Sequence, residues 1–265
     1  MFLVREESIL KNPLFLGLLV IFLMPSSLAS AKSDNADAAC FRKDVAAITR
    51  MAEAGYPLAQ YTLGCMYDQG RGVRENNAAA VRWYAKAADQ GHADAQNYLG
   101  GMYYNGRGVT QDYATAVSWY RKAADQGLAV AQYVVGGMYY NGSGVTQDYA
   151  AAFSWFRKAA DQGLAVAEYN LGTIYYNGRG VTQDYAAAFS WYRKAADQGL
   201  AEAQVSLGNM YAEGRGITQD YVQAYKWYRL SASSGGSARA SNLVAKMTYA
   251  QLAEAQRLAR AWVKK

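Results

Sequence analysis

Between Gly127 and Gln162 the chain reads GLAVAQYVVGGMYYNGSGVTQDYAAAFSWFRKAADQ, and its apolar residues fall at helical spacing in two separate runs. In the first run Leu128, Ala131, Val135, Met138 and Tyr139 share one face of a helix, with Tyr133, Gly137, Tyr140 and Asn141 opposite. In the second, Tyr149, Ala152, Phe153, Phe156 and Ala160 form the buried stripe, while Ser154 and Lys158 face water. Asn141-Gly142 predicts the end of the first helix, because Asn and Gly tolerate the left-handed conformation beyond a last turn. Gly144 lets the chain reverse, and Thr146-Gln-Asp148 supplies a side chain to cap the second helix's free amides. Asp161-Gln162-Gly163 then turns the chain back. The expected unit is a helical hairpin.

Gly163 to Gln198 repeats this stretch with seven changes, and a step of 36 residues aligns Leu63-Gly64, Leu99-Gly100, Val135-Gly136, Leu171-Gly172 and Leu207-Gly208. Five units result: 55–90, 91–126, 127–162, 163–198 and 199–234. A fixed period of this kind predicts a stacked array in which no unit buries its apolar face alone. Before it, 39–54 predicts an N-terminal capping helix through Val45, Ile48 and Met51-Ala52, preceded by a flexible leader at 32–38. After it, 235–265 predicts a degenerate half-repeat and a C-terminal capping helix. Thr248-Tyr-Ala-Gln251 starts that last helix as a capping box, and Leu252, Ala255, Ala259, Trp262 and Val263 line one side of it. Ala131, Ala151, Ala152, Ala159 and Ala160 let helix axes come close, with aromatics such as Trp155 filling the remainder.

The first residues change the picture of where this array works. Arg5 and Lys11 stand beside Glu6 and Glu7, Leu14 to Leu23 is apolar, and Ala29-Ser30-Ala31 offers a small-x-small site. That order reads as a signal peptide over 1–31, cleaved between Ala31 and Lys32, which places the product in a periplasm or outside the cell. An uncleaved anchor is the other reading, although the run is short of the ~20 residues that span a bilayer comfortably. The removed stretch holds two basic and two acidic residues, so the net charge of +6 is kept. No dense Lys/Arg run accompanies it, and nucleic acid is not an expected partner. Cys40 and Cys65 would meet an oxidising compartment, where an even pair is expected to form a disulfide worth roughly 3 kcal/mol, two unrelated buried thiols being the other reading.

The pattern Gly91, Ala95, Leu99-Gly100, Tyr103, Gly106-Arg-Gly-Val109, Asp112-Tyr113, Ala116, Trp119-Tyr120 and Lys122-Ala-Ala124 resembles the Sel1-like repeat, a relative of the tetratricopeptide repeat. The resemblance runs from about Asp44 to Ala232. The first unit departs with Asn76-Asn77 for Asp-Tyr, and the fifth with Leu230-Ser231 for Lys-Ala. It implies an all-α fold: a right-handed α-solenoid superhelix whose first helices line a concave side and hold protein partners. Exported proteins that it resembles act as regulators of membrane signalling or at a host interface. A cysteine-rich branch of the family implies penicillin binding or weak β-lactamase-like amide hydrolysis, and the repeated Cys pairs of that branch are missing here.

Catalysis finds little support. His92 is the single histidine, its copies are Leu128, Leu164 and Leu200, and a turn residue is the expected role. The Gly-x-Gly turns recur in step with the hairpins and lack the preceding strand of a phosphate loop. No enzyme, cofactor or metal is expected. The first helices instead carry Tyr104-Asn105, Tyr140-Asn141 and Tyr176-Asn177 at one height, joined by Tyr98, Tyr133 and Tyr169. Phenols and amides in a row predict a concave recognition strip for a protein or peptide. The competing reading packs these rings between units. On the second helices Arg121-Lys122, Arg157-Lys158 and Arg193-Lys194 predict a solvated basic stripe, with an anionic envelope surface as the sharper reading. The chain is expected to be a monomer.

Overall fold

Second helices start on an Asp or Asn side chain and each first helix ends on a glycine, and these two local devices set the hairpins. Asp112 shows the first: its Oδ1 accepts from the backbone N–H of Ala114 at 2.9 Å and of Thr115 at 3.1 Å. Asn76, Asp184 and Asp220 cap their helices in the same way. Gly70, Gly106, Gly142, Gly178 and Gly214 close the first helices in the left-handed conformation.

The computed structural model describes residues 45–231 and 235–262. These divide into two compact units, one up to Asp148 and one from Tyr149 onward. The first unit holds α1 (Val45–Glu53), α2 (Pro57–Gln69), α3 (Asn77–Asp89), α4 (Ala93–Asn105), α5 (Tyr113–Asp125) and α6 (Ala129–Asn141). The second holds α7 (Tyr149–Asp161), α8 (Ala165–Asn177), α9 (Tyr185–Asp197), α10 (Ala201–Glu213), α11 (Tyr221–Leu230), α12 (Gly236–Val244) and α13 (Tyr249–Ala261). No strand occurs among the described residues, so the expected all-α class holds. The signal peptide, the leader, Cys40 and Val263 lie outside them.

In the first unit α1 lies on α2 through Ala52, Leu63 and Met66, which is the expected N-terminal cap. Tyr61, Tyr84, Leu99 and Met102 then tie α2, α3 and α4 into one core. In the second unit Ala203, Leu207 and Trp227 join α10 to α11, and Ala195 and Ala196 bring α9 into the same cluster. The C-terminal end is built as its pattern predicts. Thr248 and Gln251 form the capping box of α13, Ala255 packs with Tyr225 and Tyr228, and Trp262 meets Trp227 edge-on at 6.4 Å. Buried alanines at every helix crossing leave room only for close axes.

Two glycines carry distances that the sequence leaves unstated. A Cβ on Gly172 would stand 2.6 Å from the Tyr192 ring, so the helical glycine is the seat of the facing helix's aromatic ring. Gly180 has φ +74°, and a Cβ there would stand 2.7 Å from the backbone of Tyr149. The second glycine of the Gly-x-Gly turn therefore presses on the N-terminus of the preceding hairpin's second helix, as well as reversing the chain.

Candidate functional site

The structure separates the tyrosines that the sequence places in one row. Tyr133 and Tyr140 are 2% and 3% exposed, so their rings belong to the core and not to an open face; this corrects the sequence expectation for both. The cause is the composition of α6, which is apolar around its whole circumference and is buried from Ala131 to Met138, Gly137 included. Asn141 beside them is half-buried. Tyr98, Tyr104, Tyr169 and Tyr176 are half-buried as well, and each spends ring area on packing. Tyr98 lies 5.7 Å from Tyr61 and 5.5 Å from Tyr84, and Tyr169 lies 5.5 Å from Tyr192. Tyr104 meets Tyr113 edge-on at 5.0 Å, and burial pushes its phenol up to about 12. Tyr176 meets Tyr185 at 5.1 Å, and the Arg215 guanidinium covers its ring and donates to its hydroxyl. Asn105 and Asn177 are exposed, and each donates one amide N–H to a carbonyl of its own helix, Gly101 and Thr173, at 2.9 Å.

The basic stripe is partly balanced by its own helices. Lys122, Lys158 and Lys194 lie over Trp119, Trp155 and Trp191 at 3.7, 3.9 and 4.0 Å. Arg157 pairs with Asp161 at 2.9 Å, and Arg193 pairs with Asp197 at 3.3 Å. Arg121 is exposed. Such pairs on a wet helix face are worth little to stability, but they reduce the net field the stripe presents.

Cys65 is a buried thiol placed with Tyr61 and Tyr84, on the side of α2 away from the cluster under α1. Its expected partner Cys40 lies outside the described residues. Asp68 is buried beside it and is held at 2.7 Å by Arg107 from the next turn. Burial raises the Asp68 carboxyl, and the Arg107 charge opposes that rise. His92 has the turn role expected of it. It precedes α4, its Nδ1 accepts from the Ala95 N–H at 3.3 Å, and its ring stacks on Tyr61 at 4.9 Å. Burial lowers its basicity, with Asp94 opposing. Among the described residues no group of His, Cys, Asp or Glu is arranged to hold a metal ion.

Sequence reasoning missed a glutamine ladder. Gln60, Gln96, Gln132 and Gln204 each donate from Nε2 to the carbonyl eight residues earlier, on Ala52, Ala88, Ala124 and Ala196, at 3.0 to 3.3 Å. Gln90 and Gln126 then donate to the Oε1 of Gln60 and Gln96 at 2.7 and 2.8 Å. The fourth repeat has Glu168 at this buried place, accepting from Gln198 at 2.8 Å. The signal was available as glutamine at a period of 36.

A second pattern marks one face of the first helices. The repeats keep Ala, Leu or Val, and Gly where the helices cross, yet differ freely at other positions, three of them being Tyr61, Asn97, Tyr133, Tyr169, Val205; Thr62, Tyr98, Val134, Asn170, Ser206; and Cys65, Gly101, Gly137, Thr173, Asn209. The third position faces the ring of the second helix. Thr173 Oγ1 lies 3.1 Å from the Tyr192 hydroxyl, and the Tyr228 hydroxyl donates to Asn209 Oδ1 at 2.8 Å. Stacking fixes the shared residues, so the variable face is where chemistry can differ without cost to the array.

The model of the Sel1 repeat matches the chain at 57–92, 93–128, 129–164, 165–200 and 201–236, two residues later than the boundaries read from the sequence. No curated protein matches the chain. A protective antigen of uropathogenic Escherichia coli with an SLR fold is 38% identical, with a TM-score of 0.75 over 82% of this chain and 48% of that one. This chain thus spans about half the length of that relative. A Sel1 repeat protein from Oxalobacter formigenes is 37% identical, with a TM-score of 0.70 over 75% of this chain and 82% of that one. Repeats of this type generally bind proteins and are in general not enzymes. With five matched repeats in an all-α solenoid, this chain belongs to the Sel1 repeat family.

Proposed function

We propose that the chain is an exported scaffold that docks a protein partner stoichiometrically on the first-helix face, acting as an adaptor or regulator at the cell envelope or host interface. The observation that carries the reading is that the residues differing most between repeats gather on that face, half-buried Tyr98, Tyr104, Tyr169 and Tyr176 and exposed Asn105 and Asn177 among them. Tyrosine offers contact area at small entropic cost, and amides at the rim meet a peptide backbone. Docking needs no turnover chemistry, in keeping with a single histidine committed to a helix start. Export is supported by the charge, apolar run and Ala29-Ser30-Ala31 order of the first residues. No helix among the described residues is long and apolar enough to cross a membrane. The relative described as a protective antigen is compatible with a place at the host interface.

Affinity capture from envelope extract tests the docking. Asn105→Glu with Asn177→Glu should release the partner while leaving the melting temperature unchanged, because both side chains are exposed. Full retention of the same partner by the double variant would remove this face from the proposal. Amino-terminal sequencing of the secreted product should begin at Lys32; a product retaining Met1 to Ala31 would refute processing.

A further inference from the structure

Two polar atoms of the second repeat, Asn97 Oδ1 and Tyr120 Oη, are buried without a hydrogen-bond partner. They belong to one place in the 36-residue frame, where the first repeat's Tyr84 hydroxyl is also without a hydrogen-bond partner, and the fourth and fifth repeats show how that place is satisfied. In the fourth repeat it holds Tyr169, Thr173 and Tyr192, joined by Ser206 from the fifth. The rings of Tyr169 and Tyr192 are 5.5 Å apart, Thr173 Oγ1 meets the Tyr192 hydroxyl at 3.1 Å, and the Ser206 hydroxyl stands beside both phenols. In the fifth repeat the carboxamide oxygen of Asn209 receives the Tyr228 hydroxyl at 2.8 Å. The second repeat keeps the ring and changes everything around it: Asn97 for Tyr169, Gly101 for Thr173 and Val134 for Ser206. The helices themselves are unchanged, since Gly100 seats Tyr120 as Gly172 seats Tyr192. The third repeat keeps glycine at this place, Gly137, and there the ring is Phe156, with no hydroxyl to satisfy.

An unsatisfied buried hydroxyl costs roughly 1–3 kcal/mol, and the chain itself displays two cheaper solutions, threonine or asparagine opposite the tyrosine and phenylalanine opposite the glycine. We propose that Asn97 and Tyr120 form a subsite that receives a primary carboxamide, the side chain of an Asn or Gln of the docked partner. A carboxamide carries both the donor and the acceptor that these two atoms lack. Its N–H donates to Asn97 Oδ1, and its oxygen accepts from the Tyr120 hydroxyl as Asn209 does from Tyr228. Asn97 is only half-buried as a residue, which gives the group a way in, and Gly101 carries no side chain to meet the hydroxyl as Thr173 and Asn209 do. Tyr84 is left out of the subsite because its phenol stands against Cys65 and Asp68. The assignment rests on the protein-docking reading, but its test needs no partner.

The full chain is titrated with the peptide acetyl-Ala-Gln-Ala N-methylamide and followed by NMR at the Asn97 side-chain amide and the Tyr120 ring. The matched peptide with Leu for Gln is the control. Saturable shifts at both groups with the Gln peptide alone are expected. Gly101→Thr and Tyr120→Phe should each weaken that binding about tenfold, the equivalent of ~1.4 kcal/mol, while melting at or above the native temperature. Equal shifts with the Leu peptide, or none that saturate, overturn the subsite. A lower melting temperature for Tyr120→Phe also overturns it, because the hydroxyl would then have a partner such as a trapped water. Partner capture by the Asn105 and Asn177 variants is read separately, so the subsite can fail while the docking reading stands.

Discussion

Glu168→Gln should make this protein more stable near neutral pH. The site is 5% exposed, and the corresponding Gln60, Gln96, Gln132 and Gln204 all donate to a carbonyl at the end of the preceding helix. Glutamate has no N–H to give, so the carbonyl of Ala160 keeps only its backbone donor, Gly163, at 2.9 Å. Burial raises the Glu168 carboxyl above its ordinary value, with Gln198 and Lys194 opposing. A carboxylate with a raised folded pKa is a burden when charged. The protonated state is the favoured one in the folded protein, and stability declines as pH rises from the unfolded value of 4.5 through the folded one. Glutamine would keep the bond from Gln198, as Gln96 does from Gln126 at 2.8 Å, and would add one to Ala160. One added hydrogen bond contributes about 1 kcal/mol, and relief of the buried charge brings the sum to about 1–2 kcal/mol. At about 2–4 °C per kcal/mol for a chain of this size, the melting temperature should rise by roughly 2–8 °C. Far-UV circular dichroism melts near neutral pH and at about pH 4, where the native carboxyl is largely protonated, read the effect. The gain should shrink at the acid end, and Gln132→Glu should impose a loss of similar size. An unchanged or lower melting temperature for Glu168→Gln near neutrality would refute the reasoning.

Because burial lowers the basicity of His92 while its Nδ1 caps α4, its contribution is full above the unfolded value of 6.5 and is lost as pH falls toward the lower folded value. His92→Leu, which copies Leu128, Leu164 and Leu200, should flatten the acid side of the stability profile below 6.5; an unaltered profile in urea titrations would assign that slope to other groups. Gly172→Ala drives a methyl into the Tyr192 ring and should cost about 1–3 kcal/mol in chemical denaturation, with partial rescue when Tyr192→Ala is added. Ala131→Leu, at a side chain with no exposure, should cost a similar amount by overpacking, whereas the same change at exposed Ala114 should be nearly neutral.

The 36-residue period, the two helices per unit, the glycine that ends the first and the Asp or Asn that starts the second were all legible in the residues, because each is a local preference repeated five times. So was the C-terminal lid, whose capping box and Trp262 do what their spacing predicts. Local pattern fails where a position is touched from more than one side. A single helix read as amphipathic places Tyr133 and Tyr140 on an open face, yet α6 is buried all round because its opposite face is apolar too. Likewise the glutamines at a period of 36 acquire their role only when the fold sets each beside a carbonyl of the helix before it. The sequence by itself determined the hairpin, its number of copies and its two ends, since backbone propensity and turn chemistry act within a few residues. Only tertiary packing decided which tyrosines stay half-buried, which glycine seats a ring, and that Tyr120 lacks the hydroxyl or amide that faces Tyr192 and Tyr228. Those outcomes depend on residues of different helices, whose distances no spacing along the chain encodes.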